Sequence, residues 1–267
     1  MTDTRLPPLT GRTIGVTADR RWKEQSRLFE ARGATVVHGP TMKTVDLTGD
    51  PALRAATAAI VAHPPDVLVA TTGMGVRMWF EAADAWGSRQ ELLEALGRAT
   101  TVARGAKSQS ALRQAGLQVS WSAPHENMHE VLEHVRGLAP ARVAVQLFEP
   151  DEAYKWDGAE VVDVPVYRWR LPDDPGPARA LAAAAVAGQL DAVTFTSQPA
   201  VHHLFRLAPD PEALRAALNG SVLAACIGPV CAEAAHEQGL ERVAWPEPNR
   251  LVAMVQQVTE RLSPSPA

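Results

Sequence analysis

The chain has 267 residues, of which 46% are hydrophobic and 21% charged, so it is long enough for one large domain or two ordinary domains with a real core. Its formal net charge of −4 excludes the overall basic field that duplex DNA attracts. No apolar run approaches the ~20 residues of a membrane helix, and the N-terminus MTDTRLPPLTGR lacks the apolar stretch of a signal peptide.

Short β-like runs alternate with Ala- and Leu-rich helical stretches. The predicted strands are Thr13–Thr17, Thr35–His38, Val67–Thr71, Thr101–Arg104, Val143–Leu147, Glu160–Val164, Val193–Thr196 and Val222–Ile227. The predicted helices include Lys23–Ala31, Ser108–Ala115, Ala178–Ala187 and Pro229–Glu237, with a loop at Asp173–Pro177 and a disordered tail at 263–267. This alternation predicts an α/β protein with parallel sheets that carry helices on both faces.

The stretch DAVTFTSQPAVHHLF, residues 191–205, ends a buried strand and opens an amphipathic helix. Pro199 suits the first turn of that helix, and Thr196 or Ser197 can cap it. Such a connection leaves backbone N–H groups at one edge of the sheet, where they can hold an anion. The alternative is a well-made connection that binds nothing.

The chain also repeats itself. Residues 66–80, DVLVATTGMGVRMWF, align with residues 191–205 at an offset of 125, and residues 103–117 align with residues 226–240 at an offset of 123. A third match joins residues 32–40 to residues 157–165. Three matches in the same order predict two copies of one βα-rich unit.

The duplication predicts four similar turns at the carboxyl ends of strands, where open α/β sheets bind ligands. These turns are Thr71-Thr72-Gly73, Gly105-Ala106-Lys107-Ser108, Thr196-Ser197-Gln198 and Gly228-Pro229-Val230. We expect them to face one cleft suited to a large ligand with several carboxylates or phosphates. The motifs GxGxxG and GxxxxGK[ST] are absent, so no nucleotide site is predicted.

Cysteine and histidine usage gives little sign of a metal or a disulfide framework. Cys226 and Cys231 are close in sequence, and we expect a reducing cytoplasm. His125, His129 and His134 share one segment without an HExxH pattern, and we interpret them as solvated residues on a helix face. We therefore expect no metal.

The segments GVTADR, DAVTFTSQPAV, AACIGPVCAEAAHEQGL and VVDVPVYRW make the chain resemble the uroporphyrinogen-III synthase family over about residues 12–262. The resemblance implies two similar flavodoxin-like parallel-sheet domains whose halves exchange strands. It maps the first domain to residues 10–39 plus 168–262 and the second to 44–163. The linker strands fall at 38–43 and 165–168.

The resemblance also implies a reaction. The family's substrate is hydroxymethylbilane, a linear tetrapyrrole with eight carboxylates. Loss of its terminal hydroxyl gives a cationic azafulvene, and the far pyrrole ring attacks through its substituted carbon. A spiro intermediate follows, and the macrocycle closes with that last ring inverted. The resemblance implies that no metal or organic cofactor is needed, because the enzyme mainly brings the two ends of a flexible chain together.

Candidate site residues follow from the turns and from the resemblance. Tyr167 matches the family's linker tyrosine, a proposed proton donor to the leaving hydroxyl, or is an aromatic residue that packs in the hinge. Arg20 follows the first strand, as does Arg21, and both are candidates for the cleft. Lys107 and Arg104 either attract the anionic substrate or are solvated. The remaining substrate-binding candidates are Thr71, Thr72, Gly73, Gly105, Ser108, Thr196, Ser197, Gln198, Gly228, Pro229 and Val230.

Two alternatives to a synthase remain. A hydrolase would need a triad such as Ser197 with His202 or His203 and Asp191, but no G-x-S-x-G elbow supports it. Actinobacterial relatives of the synthase include transcriptional regulators with a winged-helix domain, so the chain is alternatively a catalytically weak ligand-sensing module. The chain ends at SPSPA with no such domain, and we expect no direct binding of nucleic acid. We also expect a monomer that does not associate with a membrane.

One segment departs from the family pattern. Where the family usually has a glycine- or arginine-containing turn, the chain reads FEPDEAYKWDGAEV. Glu149, Asp151 and Glu152 put negative charge near the expected place of a polycarboxylate, which is unfavourable. Either these side chains point away, or the protein binds its tetrapyrrole weakly, or it binds another ligand.

Overall fold

The computed structural model describes residues 6–147 and 154–263. They form two compact units. Unit 1 takes the described residues up to Thr44 and from Arg170 onward, and unit 2 takes those of Val45–Trp169. The acidic segment with Glu149, Asp151 and Glu152 lies outside the described residues, as do residues 264–267 of the predicted tail.

All eight predicted strands are present, with ends within one residue or so of the prediction. The described strands are β1 (Thr13–Val16), β2 (Thr35–His38), β3 (Lys43–Asp46), β4 (Val67–Ala70), β5 (Thr100–Ala103), β6 (Trp121–Ser122), β7 (Arg142–Gln146), β8 (Glu160–Val164), β9 (Tyr167–Arg170), β10 (Ala192–Phe195), β11 (Leu223–Cys226) and β12 (Val243–Ala244). The prediction omits β6 and β12, which have only two residues each. β3 and β9 pair with each other, and they start five and two residues later than the proposed linker strands at 38–43 and 165–168, which they overlap.

The described helices are α1 (Trp22–Glu30), α2 (Pro51–Ala62), α3 (Gly73–Ala85), α4 (Arg89–Leu96), α5 (Ala106–Ala115), α6 (Met128–Leu138), α7 (Gly176–Val186), α8 (Gln198–Leu207), α9 (Pro211–Asn219), α10 (Pro229–Glu237) and α11 (Leu251–Leu262). The predicted loop at Asp173–Pro177 is wrong at its end, because Gly176 and Pro177 already belong to the first turn of α7. Proline is tolerated there, since the first N–H groups of a helix have no intrahelical partner.

The α/β fold class with two parallel sheets is confirmed. Unit 2 has the strand order β6-β5-β4-β7-β8, and unit 1 has the order β12-β11-β10-β1-β2. Every neighbouring pair in both sheets is parallel. β4 therefore corresponds to β10 and β7 to β1, as the repeat predicts. Unit 2 is continuous in sequence, whereas unit 1 takes two strands from the start of the chain and three from its end.

Helices cover both faces of the unit 2 sheet. Leu68 and Ala70 of β4 pack on the face covered by α2, α3, α4 and α5, together with the fully buried Trp79. Val67 and Val69 point to the other face, where Val131 and Val135 of α6 pack. Both faces of this sheet are thus apolar and covered by helices, as is typical of a parallel sheet.

In the part of the chain that the structure describes, no helix combines the length and the apolar composition that a membrane span requires.

Candidate functional site at the carboxyl edges of the sheets

In unit 2, the turn after β4 is capped by its own threonine. Thr72 is the N-cap residue of α3, and its hydroxyl accepts a hydrogen bond from the Gly75 N–H at 3.1 Å. Thr71 is buried, and its hydroxyl donates to the Gln146 carbonyl of β7 at 2.6 Å. This predicted turn is therefore tied to two neighbouring strands.

The second predicted turn of unit 2 lies beside the first. Gly105 is the N-cap residue of α5, and the buried Ser108 hydroxyl donates to the Gly105 carbonyl at 2.9 Å. A Cβ on Gly73 would come within 2.8 Å of the Lys107 carbonyl carbon, so only glycine allows the two turns to approach this closely. The structure thus brings together Thr71–Gly73 and Gly105–Ser108.

The N-terminus of α5 already holds a carboxylate of the chain itself. Glu126 accepts a hydrogen bond from the Ala106 N–H at 3.1 Å through Oε1, and its backbone φ is 57°. Its side chain also lies against Gly105, where a Cβ would come within 2.9 Å of Cγ. The sequence analysis missed Glu126, which sits 20 residues after the amide that it binds.

Tyr167 begins β9 and is 3% exposed. Its ring packs in the unit 2 core with Leu68 and Val76, and its hydroxyl lies 3.2 Å from Thr72 Oγ1. The ring is thus part of the unit 2 core, and the phenol oxygen reaches the N-cap residue of α3.

Unit 1 builds the corresponding turn differently. Ser197 is the N-cap residue of α8, but its hydroxyl makes no capping bond and instead lies 3.5 Å from the Met42 sulfur. The expectation that Thr196 or Ser197 caps the helix through its side chain is therefore wrong. Gln198 and Pro199 are the first two helical residues. The start of α8 thus has no side-chain cap among the described residues.

The fourth predicted turn also opens without a side-chain cap. Gly228 is the N-cap residue of α10, Pro229 and Val230 are exposed helical residues, and a Cβ on Gly228 would lie 2.9 Å from Asn249 Cγ. The turn neighbours the start of α8, because Ile227 N–H donates to the Phe195 carbonyl at 2.9 Å. Unit 1 therefore brings Thr196–Gln198 and Gly228–Val230 together, as unit 2 does with its own pair.

Basic residues accompany the turns of each unit. Arg20 follows β1, the neighbour of β10, and its exposed side chain makes no ion pair with another described residue. Arg21 has φ 54° and pairs with Glu24 at 2.6 Å. Lys107 is exposed at the start of α5, and Arg104 is half-buried.

The two units differ in charge. By sequence, unit 1 carries 15 Lys and Arg against 14 Asp and Glu, and unit 2 carries 11 against 16. Unit 1 is thus better suited to attract an anion.

The residues considered for a hydrolase triad each contact a different partner. Asp191 accepts hydrogen bonds from the Arg12 guanidinium at 2.7 Å and from the Thr13 N–H at 2.8 Å, at the amino end of β10. His202 Nδ1 lies 3.1 Å from the Gln238 amide. With the Ser197 hydroxyl beside Met42, the three groups form no relay.

The histidines of the α6 segment are not all on the helix. His125 precedes α6 and lies against Glu130, whereas His129 faces Glu133 and is mostly exposed. His134 stacks on Trp121 at a ring distance of 4.1 Å. No group of three or more potential metal ligands occurs within residues 6–147 and 154–263.

Comparison with known proteins decides the family. The model of the family described as uroporphyrinogen-III synthase HemD matches residues 23–256. This chain belongs to that family. A crystal structure of uroporphyrinogen III synthase from Thermus thermophilus is 31% identical, with a TM-score of 0.76 over 94% of this chain and 98% of that one.

Two curated sequences are also similar. The uncharacterized protein YjjA of Bacillus subtilis is 28% identical over 263 residues, which span 92% of this chain and 94% of that protein. A putative uroporphyrinogen-III synthase of Methanothermobacter thermautotrophicus is 38% identical over 86 residues, about a third of each chain. The family is thus shown along nearly the whole chain.

Proposed function

We propose that this protein is a uroporphyrinogen-III synthase, which cyclises hydroxymethylbilane with inversion of the terminal ring and loss of water. The observation that carries the proposal is the 31% identity to the Thermus thermophilus synthase over 94% of this chain. The local structure is compatible with a polycarboxylate substrate, because four helices of the family fold begin at the carboxyl edges of the two sheets.

The start of α8 is the strongest candidate for a carboxylate contact. Ser197 leaves its first amides without a side-chain cap, and Thr196 and Ser197 are half-buried beside them. Backbone N–H groups at a helix N-terminus favour an anion. Arg20, in the segment that follows the neighbouring strand β1, adds an exposed positive charge to the same unit. In unit 2, by contrast, Thr72 and Glu126 already satisfy amides at the corresponding starts.

Tyr167 is the candidate general acid. Proton transfer from its phenol to the leaving hydroxyl would release water and leave the azafulvene cation. The far ring then attacks through its substituted carbon, and the spiro intermediate rearranges. The closing ring loses one proton, which leaves the macrocycle neutral and restores the Tyr167 phenol, directly or through solvent. The protein's contribution is to hold the two ends together, and the phenol assists only the first step.

The assay supplies purified protein with hydroxymethylbilane and separates the isomers that form. The proposal expects the type III isomer of uroporphyrinogen in excess of the type I isomer that forms spontaneously. Type I alone at high protein concentration would overturn the proposal and favour a ligand-sensing role.

The two tyrosines of the chain allow a matched test of the acid. Tyr167→Phe should lower kcat by about 100-fold or more, the usual contribution of a positioned general acid. Tyr154→Phe, a buried tyrosine of the other core face, should leave kcat unchanged. Full activity of Tyr167→Phe would remove the acid role while leaving the synthase assignment intact.

A further inference from the structure

Gln146 is a fully buried amide at the carboxyl end of β7, in the middle of the unit 2 sheet. Its Oε1 accepts a hydrogen bond from the Thr72 N–H at 3.0 Å, and its amide nitrogen donates to the Leu147 carbonyl. The orientation of the amide is therefore fixed. The Thr72 N–H requires the amide oxygen as its acceptor, and the Leu147 carbonyl requires the amide nitrogen as its donor.

The Thr72 hydroxyl has three polar neighbours, and together they use its full hydrogen-bonding capacity. The Gly75 N–H is a donor at 3.1 Å, and the Gln146 Oε1 is an acceptor at 3.4 Å. The third neighbour is the Tyr167 hydroxyl at 3.2 Å. When Thr72 donates to Gln146, its second lone pair faces Tyr167, and the phenol is the donor of that bond.

The fit of Gln146 depends on glycine at position 75. A Cβ there would lie 2.7 Å from Gln146 Oε1 and closer still to the amide nitrogen, which real Cβ contacts do not allow. In unit 1 the equivalent strand end carries Thr17 and the equivalent helix position carries Ala200, so a smaller strand residue faces a larger helix residue. The long amide is thus a specific feature of the unit that contains Tyr167.

We propose that Gln146 is a positioning residue that acts through Thr72 on Tyr167. Its carbonyl oxygen accepts a hydrogen bond from the Thr72 hydroxyl, so the threonine accepts a hydrogen bond from the phenol and holds the Tyr167 oxygen in place before substrate binds. Once substrate is bound, the phenol turns its proton from Thr72 to the leaving hydroxyl. The proposal rests on the proposed function only where it concerns catalysis by Tyr167. Gln146 does not contact the substrate, since its side chain is 0% exposed.

A fluorine probe tests the contact without any activity measurement. With 3-fluorotyrosine incorporated, the chain carries two reporters, Tyr154 and Tyr167, and Tyr154→Phe assigns the resonances. Gln146→Leu should shift the Tyr167 resonance and leave that of Tyr154 in place. Thr72→Val should produce a similar shift, and adding Gln146→Leu to it should produce no further one. An unchanged Tyr167 resonance in folded Gln146→Leu would overturn the proposal.

Kinetics with hydroxymethylbilane provide the second readout. Gln146→Leu should lower kcat about tenfold, the worth of about one hydrogen bond, with KM changed less than about twofold. In the Thr72→Val background the same substitution should lower kcat no further, because coupled residues are not additive. An equal loss in both backgrounds would show that Gln146 acts by another route.

Two further variants separate positioning from folding. Thr17→Val changes the equivalent buried strand end of unit 1 and should leave both the Tyr167 resonance and kcat unchanged. If Gln146→Leu does not fold, a double variant replaces it. Gly75→Ala with Gln146→Thr reproduces the Thr17 and Ala200 pair of unit 1 and still removes the amide. A shifted Tyr167 resonance in that variant supports the proposal, and an unshifted one overturns it. If the synthase assay fails while the resonance shifts, the proposed function is wrong and the contact stands.

Discussion

Thr17 of unit 1 and Gln146 of unit 2 occupy equivalent strand ends, and both are fully buried. Thr17 donates to the Thr194 carbonyl at 2.7 Å, and this bond stays within the sheet. Gln146 reaches out of its sheet to the first turn of α3. The comparison shows that the same fold builds the start of a helix in two ways. In unit 2, Thr72 caps α3 through its side chain, whereas in unit 1 the described residues give α8 no such cap.

The largest expected effect on stability comes from substituting Gly75, the helix residue that faces Gln146 at the end of β7. Gly75→Ala should lower the free energy of unfolding by about 2–4 kcal/mol, because the new methyl group overlaps the Gln146 amide and disturbs its buried hydrogen bonds. Denaturant unfolding of the purified protein measures this loss.

The matched control and rescue sharpen that comparison. Ala200→Gly, at the equivalent position of unit 1, should cost only about 0.5–1 kcal/mol. Adding Gln146→Thr to Gly75→Ala should recover most of the loss, because the pair then reproduces Thr17 and Ala200. A Gly75→Ala protein as stable as the wild type would show that the amide has room to move.

A smaller difference is expected between the two helix caps. Thr72→Ala should cost about 1–2 kcal/mol of stability, since it removes the hydrogen bond to the Gly75 N–H. Ser197→Ala should cost less than about 0.5 kcal/mol, because Ser197 caps nothing through its side chain. Thermal unfolding of both variants checks the difference, and equal losses would contradict it.

The starts of α5 and α10 differ by one charge. Glu126→Asn gives α5 the residue that faces Gly228 in unit 1, and it removes an internal carboxylate from the Ala106 amide. If this turn contacts the substrate, its affinity for hydroxymethylbilane should rise about two- to fivefold, the usual range for one charge at a helix N-terminus. Binding titration measures it, and unchanged affinity would place the substrate's carboxylates elsewhere.

The smallest effect concerns an exposed group of charges in unit 1, in which Arg170 and Lys43 both contact Asp173. Hydrogen bonds from Arg170 and then Lys43 lower the pKa of Asp173 to about 2. A lowered folded-state pKa adds stability above the unfolded pKa of about 4, and this stability is lost as the pH falls toward 2. Asp173→Asn should therefore be slightly less stable than the wild type at pH 7, and the two should converge near pH 2. Unfolding at both pH values tests this, and a constant difference would exclude the mechanism.

The sequence predicted the fold better than it predicted the edge of each sheet. The repeat, with Asp66 matching Asp191 and Gly105 matching Gly228, was sufficient for two parallel sheets, because strand periodicity and turn glycines are local signals. Local signals did not predict which side chains contact each turn. Gln146 lies 74 residues from Thr72, and Met42 lies 155 residues from Ser197, so nothing near either turn indicates its partner. One signal was present: the repeat alignment pairs Gly75 with Ala200, and a glycine at a helix start indicates a close neighbour.

The order of strands in unit 1 bears on how the protein is made. β1 and β2 leave the ribosome first, but β1 lies between β2 and β10, and β10 ends at Phe195. At about 5–20 residues per second, the 157 residues from His38 to Phe195 take about 8–30 s to synthesise. Unit 2 is continuous and ends at Trp169, 26 residues before Phe195, so its synthesis is complete about 1–5 s earlier. During the last of those seconds the nascent chain carries a complete unit 2, while β1 and β2 upstream of it have not yet paired with β10. The unpaired strand edge is then accessible to chaperones or to aggregation.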